Sequence, residues 1–287
     1  MANINESAYE ALSYIWGDIS SSTQETVIIS GNSVAVTSNL HTALRHLRHP
    51  INKRTLWIDQ LCINQWDNDE KAQQVAMMRD IYKNCTRCII WFGEFENPAE
   101  DFSSGDVQAV FDFFEAVSVI ETKPLHEVPV LYQDSAAGVA ARRAFRAFSA
   151  NGNPWWSRIW TVQEALIPIS AHLQWGSCSV SWDDVQRAAL HLCLEEHVDR
   201  FSEDVQYAIS QYEGLLPHFL YPVRGLQRSA NGEAPLKLLM RWRYRKATDP
   251  RDKIYALLGL LPPEALPSAR HCDYSICLLY TSDAADE

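Results

Sequence analysis

The chain has 287 residues, a hydrophobic fraction of 47%, a formal charge of −11 and a pI near 5.3. That length suits one large domain or two small ones with a packed core, and the acidic balance argues against nucleic-acid binding, which calls for a basic face. No run approaches the ~18 apolar residues of a membrane span, and the polar opening MANINESAYE lacks a signal-peptide core, so a cytoplasmic protein with no membrane span is expected.

Taken in chain order, YEALSYIW (9–16) is a β-rich run that ends at Gly17-Asp18. TVIIS (26–30) and SVAVT (33–37) flank Gly31-Asn32 and predict a hairpin. An amphipathic helix is expected from Asn39, with Leu40, Ala43, Leu44 and Leu47 on one face and Pro50 as its stop. TLWID (55–59) reads as a short buried strand, 69–84 as a helix and RCIIWFG (87–93) as another buried strand. Together they make a right-handed parallel βαβ unit.

Beyond 94 the signals turn helical, at 107–120 and 135–150. Asn153-Pro154 then offers a cap and first-turn proline for WWSRIWTVQEAL. HLQWGSCSVSW (172–182) reads as a second hairpin, and Asp183-Asp184 opens another helix. Residues 201–235, with Pro217, Pro222 and Gly225, are the least patterned and are expected to be mobile. ATDPRDKIYALLGLL (247–261) predicts a helix capped by Thr248 or Asp249, with Pro250 in its first turn. The fold class is therefore α/β: a flavodoxin-like, mostly parallel sheet with flanking helices, an additional β-hairpin and a helical elaboration.

The last eleven residues, CLLYTSDAADE (277–287), are similar to a translated sequencing-library adapter. Without their three carboxylates the charge is nearer −8, and the remainder is expected to be the N-terminal part of something longer. The expected organisation is one domain over 1–276, with an α/β core about 9–182 and a helical extension about 183–276.

Several candidate sites can be weighed on their residues. In open parallel sheets ligands bind beyond the carboxyl ends of strands. Asp59 ends such a strand, and Asn64 and Gln65 follow it on the rim. Asp67–Glu70 are explained by capping the next helix, and their spacing lacks the glycine and distal glutamate of a calcium loop. On one continuous helix Trp156, Trp160 and Glu164 would form a stripe, placing Glu164 beside indoles that raise its pKa; the alternative is a structural ion pair with Arg158 or Arg251. In TDPRDK (248–253) the triplet Arg251-Asp252-Lys253 is either an anion site or plain capping. Arg241, Arg243, Arg245 and Lys246, interleaved with Trp242 and Tyr244, could grip a phosphate, but a solvated helix face is the favoured reading. Seven cysteines without a framework suit a reducing compartment, and the single CxxC of Cys85 and Cys88 reads as core filler; no metal site is predicted. Signatures for P-loops, dinucleotide-binding glycines, serine hydrolases, zinc proteases and kinases are all missing. What is left is carboxylate acid–base chemistry, or no chemistry.

YEALSYIWGD (9–18), LWIDQLCINQWDNDEKAQQVAMMRDIY (56–82), RIWTVQEA (158–165) and ATDPRDKIYALLGL (247–260), in that order, resemble the fungal HET (heterokaryon incompatibility) domain over about 9–276. One departure is Gln60, where the family usually has a small residue. The resemblance implies an effector of self/non-self recognition that triggers programmed cell death. It also implies a distant relation to TIR domains, some of which cleave NAD+ at the nicotinamide glycosidic bond using a glutamate in a Trp-x-x-x-Glu pattern. Trp160 and Glu164 have that pattern. On this reading Glu164 is the catalytic candidate, and Trp16, Asp18, Asp59, Asn64, Gln65, Arg158 and Trp160 line the substrate site. NAD+ would be a substrate rather than a cofactor, and no cofactor is expected. The partners implied are further copies of the chain in a homo-oligomer and an upstream sensor or regulatory domain. The rival reading is a non-catalytic oligomerising module of the same pathway.

Overall fold

Side chains in the first apolar run alternate across a sheet. Leu12 and Tyr14 point to one face, Ala11 and Ser13 to the other, and all four are buried. The structure, a computed structural model, describes residues 8–17, 25–95, 101–193, 200–230, 234–261 and 272–274. The strands are β1 (Glu10–Ser13), β2 (Glu25–Ile29), β3 (Asn32–Val36), β4 (Leu56–Trp57), β5 (Arg87–Trp91), β6 (Ala171–Trp175) and β7 (Cys178–Ser181). The helices are α1 (Ser38–Leu47), α2 (Asp59–Cys62), α3 (Asn68–Asn84), α4 (Ser104–Ser118), α5 (Ala136–Phe148), α6 (Thr161–Leu166), α7 (Trp182–His191), α8 (Glu203–Ser210), α9 (Pro217–Ala230), α10 (Pro235–Trp242) and α11 (Asp252–Leu258).

The main sheet runs β4-β1-β5-β6-β7, parallel except for β7, which returns antiparallel from β6. Counted by appearance within the sheet the order is 2-1-3-4-5, the flavodoxin type, so the expected α/β class is what the chain forms. Both faces are covered, as a parallel sheet requires. Leu12, Tyr14, Ile89 and Trp91 pack against Leu40, Ala43 and Leu47 of α1. On the other face Ala11, Cys88 and Ile90 join the larger core, where Phe92, Phe148, Trp155, Trp156 and Trp175 meet with ring centroids 5.1–6.3 Å apart. Cys85 and Cys88 are buried thiols in this core.

Several local expectations need correcting. The β2–β3 turn is Ser30-Gly31, one residue earlier than predicted: Ile29 pairs with Asn32, and both turn residues have positive φ, as the type I′ geometry demands. Helix α1 is capped by Thr37, whose hydroxyl accepts from Leu40 N, while the Asn39 amide instead ties Ile15 O to the Trp91 indole. Residues 201–235 are not patternless, since α8 and α9 occupy most of them and Val205, Phe219, Val223 and Leu226 are buried. Asp249 accepts from Arg251 N, and the α-helical ladder starts at Arg251, so α11 begins at Asp252, two residues after Pro250.

The largest correction concerns 154–166. It is not one helix but a 3-10 turn (Pro154–Ser157, capped by Asn153), an extended break at Arg158, and then α6. The cause is a distant segment: Lys246 N donates to Ser157 O (2.5 Å) and Ile159 N donates to Lys246 O (2.9 Å), taking backbone groups that a continuous helix would use. The Trp156–Trp160–Glu164 stripe therefore does not form.

Helix α3, which carries one wall of the cleft described below, starts as predicted. Asp67 Oδ1 accepts from Asp69 N and Glu70 N, both at 3.0 Å. Asp67→Ala is expected to cost about 1 kcal/mol, the usual loss for an N-cap carboxylate, read as a lower denaturant midpoint at unchanged slope.

Candidate functional site

A cleft of about 430 Å³ opens at the carboxyl ends of β1 and β4. Trp16 and Gly17 enter it from the end of β1; Asp59, Ile63 and Gln65 from the segment after β4; Lys71, Val75 and Met78 from α3. The opposite wall is Ser157, Arg158 and Trp160, followed by Lys246–Asp249, Asp252 and Tyr274.

Asp59 opens the short helix α2 rather than ending a strand, and its carboxylate is the hub of the floor. Oδ1 accepts from Gln60 N (2.7 Å) and Oδ2 from the Trp16 indole (2.7 Å), with Arg158 Nη2 3.4 Å away. Arg158 also donates to Tyr14 O (2.5 Å) and lies 5.7 Å from the Trp16 ring centroid. Burial works against its charge, but Asp59 and Glu164 together hold its pKa above the ordinary arginine value.

Glu164 sits behind this floor and does not reach the cleft. It is 1% exposed, and its Oε2 accepts from Ser13 Oγ (2.5 Å), which itself accepts from the Trp155 indole (2.9 Å). Burial pushes its pKa up to about 7, against the downward pull of Arg158 and Ser13. The Trp155 indole is linked to this carboxyl through Ser13, and the predicted helical stripe of indoles is not what raises its pKa.

The far wall holds two more carboxylates. Asp249 is clamped by Arg251, with Nε to Oδ1 at 3.0 Å and Nη2 to Oδ2 at 2.8 Å. Asp252 Oδ1 accepts from Tyr274 Oη (2.5 Å), and burial raises its pKa. Lys71 Nζ lies 4.5 Å from the Tyr274 ring centroid. Arg245 departs from its predicted solvated face. It is buried, donates to Thr161 Oγ1 (2.8 Å) and Arg158 O (3.1 Å), and burial lowers its pKa to about 9. The reason is position, because α10 ends at Trp242 and Arg245 belongs to the strap that bridges Arg158.

Of the residues expected at the site, Trp16, Asp59, Gln65, Arg158 and Trp160 come together in the cleft. Asn64 does not line it: its side-chain oxygen accepts from Trp66 N and its own N–H donates to Glu70, knitting the loop. Asp18 lies outside the described residues. Gln60 turns away, accepting from the Tyr14 hydroxyl (3.2 Å). Ser13, Lys71 and Tyr274 were missed, and Lys246, weighed as part of a phosphate grip but favoured as solvated, lines the cleft; of the three missed only Ser13 carried a signal, as the polar residue at an inward position of an apolar strand.

A family profile described as "Heterokaryon incompatibility protein (HET)" matches residues 9–164, just over half of the chain. The chain belongs to the HET family. The HET match takes in Trp16, Asp59, Arg158, Trp160 and Glu164, whereas Lys246–Asp252 and Tyr274 lie beyond it. Among curated proteins, the chain is 29% identical over 297 aligned positions to "Heterokaryon incompatibility protein 6, OR allele" of Neurospora crassa, covering 88% of this chain. It spans 43% of that relative's length. No solved structure matches. Among the described residues of this HET chain, no helix is long and apolar enough to cross a membrane, and no group of three or more His, Cys, Asp or Glu is placed to hold a metal.

Proposed function

We propose that this HET-family chain is an effector of heterokaryon incompatibility that promotes programmed cell death, and that it acts by TIR-like hydrolysis of NAD+ in the cleft. The observation that supports this is the company the cleft keeps. Arg158, Lys71 and Lys246 are cations suited to a diphosphate, Trp16 and Trp160 are faces for planar rings, and Asp59 and Asp252 are carboxylates for a developing ribosyl cation. In the reaction the bond between the ribosyl carbon and the pyridinium nitrogen breaks, its electron pair leaving with neutral nicotinamide. Water adds to the ribosyl carbon, giving ADP-ribose and a proton, through an oxocarbenium-like transition state. Glu164 then serves as a positioning residue: its charge lies behind Arg158 and helps hold the guanidinium that anchors Asp59.

Nicotinamide release from NAD+ by the purified chain tests the reading. The wild type is expected to release nicotinamide, and Glu164→Gln to be slowed about tenfold through lost orientation of Arg158. No release at any protein concentration would remove the catalytic reading. One observation favours a second reading, the burial of Glu164 away from the cleft. As a non-catalytic oligomerising module, the chain would keep its toxicity on expression in Glu164→Gln and lose it on substitution of exposed apolar residues such as Ile28 and Ile29 of the β2–β3 hairpin.

A further inference from the structure

Among the described residues three carboxylates line the cleft, and their hydrogen bonds divide the labour between them. Asp59 is saturated, because an indole N–H, a backbone N–H and a guanidinium already occupy its oxygens. Both of its oxygens are thus engaged in holding the floor together. Asp249 is likewise held, by the Nε, Nη2 and backbone N–H of Arg251. Asp252 is different: its hydrogen-bond donors are neutral, the Tyr274 phenol on Oδ1 and the Trp160 indole, and its cation neighbour Lys71 acts at a distance.

We infer that Asp252 is the catalytic carboxyl of the cleft, the group that takes the proton from the attacking water, with Tyr274 as its positioning residue. This rests on the NAD+ reading given above. The Asp252 oxygen not bonded to Tyr274 accepts the proton as the water oxygen bonds to the ribosyl carbon and the bond to nicotinamide breaks. The proton then passes to solvent, and no further reactant is needed. Burial supports the role, since it penalises the ionised form and raises the basicity of Asp252, while Tyr274, the Trp160 indole and Lys71 keep the shift in check and Asp249 adds to it. The Tyr274 ring is fixed for the task. Tyr255 packs edge-on at 5.4 Å, and Arg251 and Lys71 sit 5.1 and 4.5 Å from its centroid.

The test compares wild type, Asp252→Asn and Tyr274→Phe, following nicotinamide release from NAD+ across pH and NAD+ binding by titration calorimetry. Asp252→Asn keeps an acceptor for Tyr274, so it is expected to bind NAD+ within about threefold of wild type and to lose about 100-fold in kcat. Tyr274→Phe removes a bond that favours the ionised carboxyl. The acid limb of its kcat profile should therefore move to higher pH, a change that loss of packing alone would not produce. Release by wild type with Asp252→Asn within about fivefold of it overturns the role of Asp252 and leaves the NAD+ reading standing. No release by wild type overturns both. Should Asp252→Asn not fold, the Tyr274→Phe profile decides, an unmoved acid limb counting against Asp252.

Discussion

Arg158→Ala is expected to destabilise the fold by about 3 kcal/mol, since removing one partner of a largely buried pair leaves the other charge uncompensated. Asp59 would keep the Trp16 and Gln60 donors but lose its cation. Tyr14 O would lose its 2.5 Å donor, and Glu164 would lose the one cation that pulls its pKa down. The loss corresponds to roughly 8 °C in Tm for a domain of this size. Lysine should not restore it, because one ammonium cannot reach both Tyr14 O and Asp59 as the guanidinium fork does. A double-mutant cycle with Asp59→Asn in denaturant titrations isolates the pair. A total loss for Arg158→Ala below about 1 kcal/mol would mean that solvent reaches the pair and the floor is not built around it.

The second large effect is a pH dependence set by Glu164. Its folded pKa, about 7, stands above the ordinary value of 4.5, so between those values the folded chain binds a proton that the unfolded chain has released. Stability from this group is therefore full below about pH 4.5, declines as pH rises towards about 7, and is level above. For a group buried this completely the decline amounts to ~3 kcal/mol. Glu164→Gln keeps an oxygen to accept from Ser13 and has nothing to titrate. The variant should thus match wild type near pH 4.5 and exceed it by about that amount at pH 7.5. Urea titrations of both proteins across that range read the difference directly. Parallel curves would show that Glu164 stays ionised throughout, held by Arg158.

How much of this was legible in the sequence follows from which signals were local. The second hairpin and the cap at Asp67 rest on contacts within a few residues and formed where patterning placed them, whereas the two strands of the βαβ unit each pair with β1, and the first is only Leu56–Trp57. The sheet's carboxyl edge was also legible, and with it Trp16, Asp59 and Gln65. The failures share a cause. The break at Arg158 is imposed by Lys246 backbone groups some ninety residues on, and no periodicity within 154–166 encodes it. Arg245 looked solvated because a run of arginines usually is, and only the Arg158 bridge explains its burial. Asp252 read as capping because Tyr274, which gives its carboxyl a partner, carries no local mark.

The two backbone hydrogen bonds that join Ser157 and Ile159 to Lys246 bear on where this domain can be divided. The family match stops at residue 164, but the cleft does not. A fragment trimmed to the matched span would retain Asp59 and Arg158 and lose Lys246, Asp249, Asp252 and Tyr274, leaving one wall facing water. It would also bare Ser157 O and Ile159 N, and would omit β6 and β7 from the sheet. The stretch of chain that keeps the cleft whole thus runs past the best-matched residues. A chimera of this chain that keeps the Arg158 break is expected to need the 245–252 strap as well, since the two share their backbone hydrogen bonds.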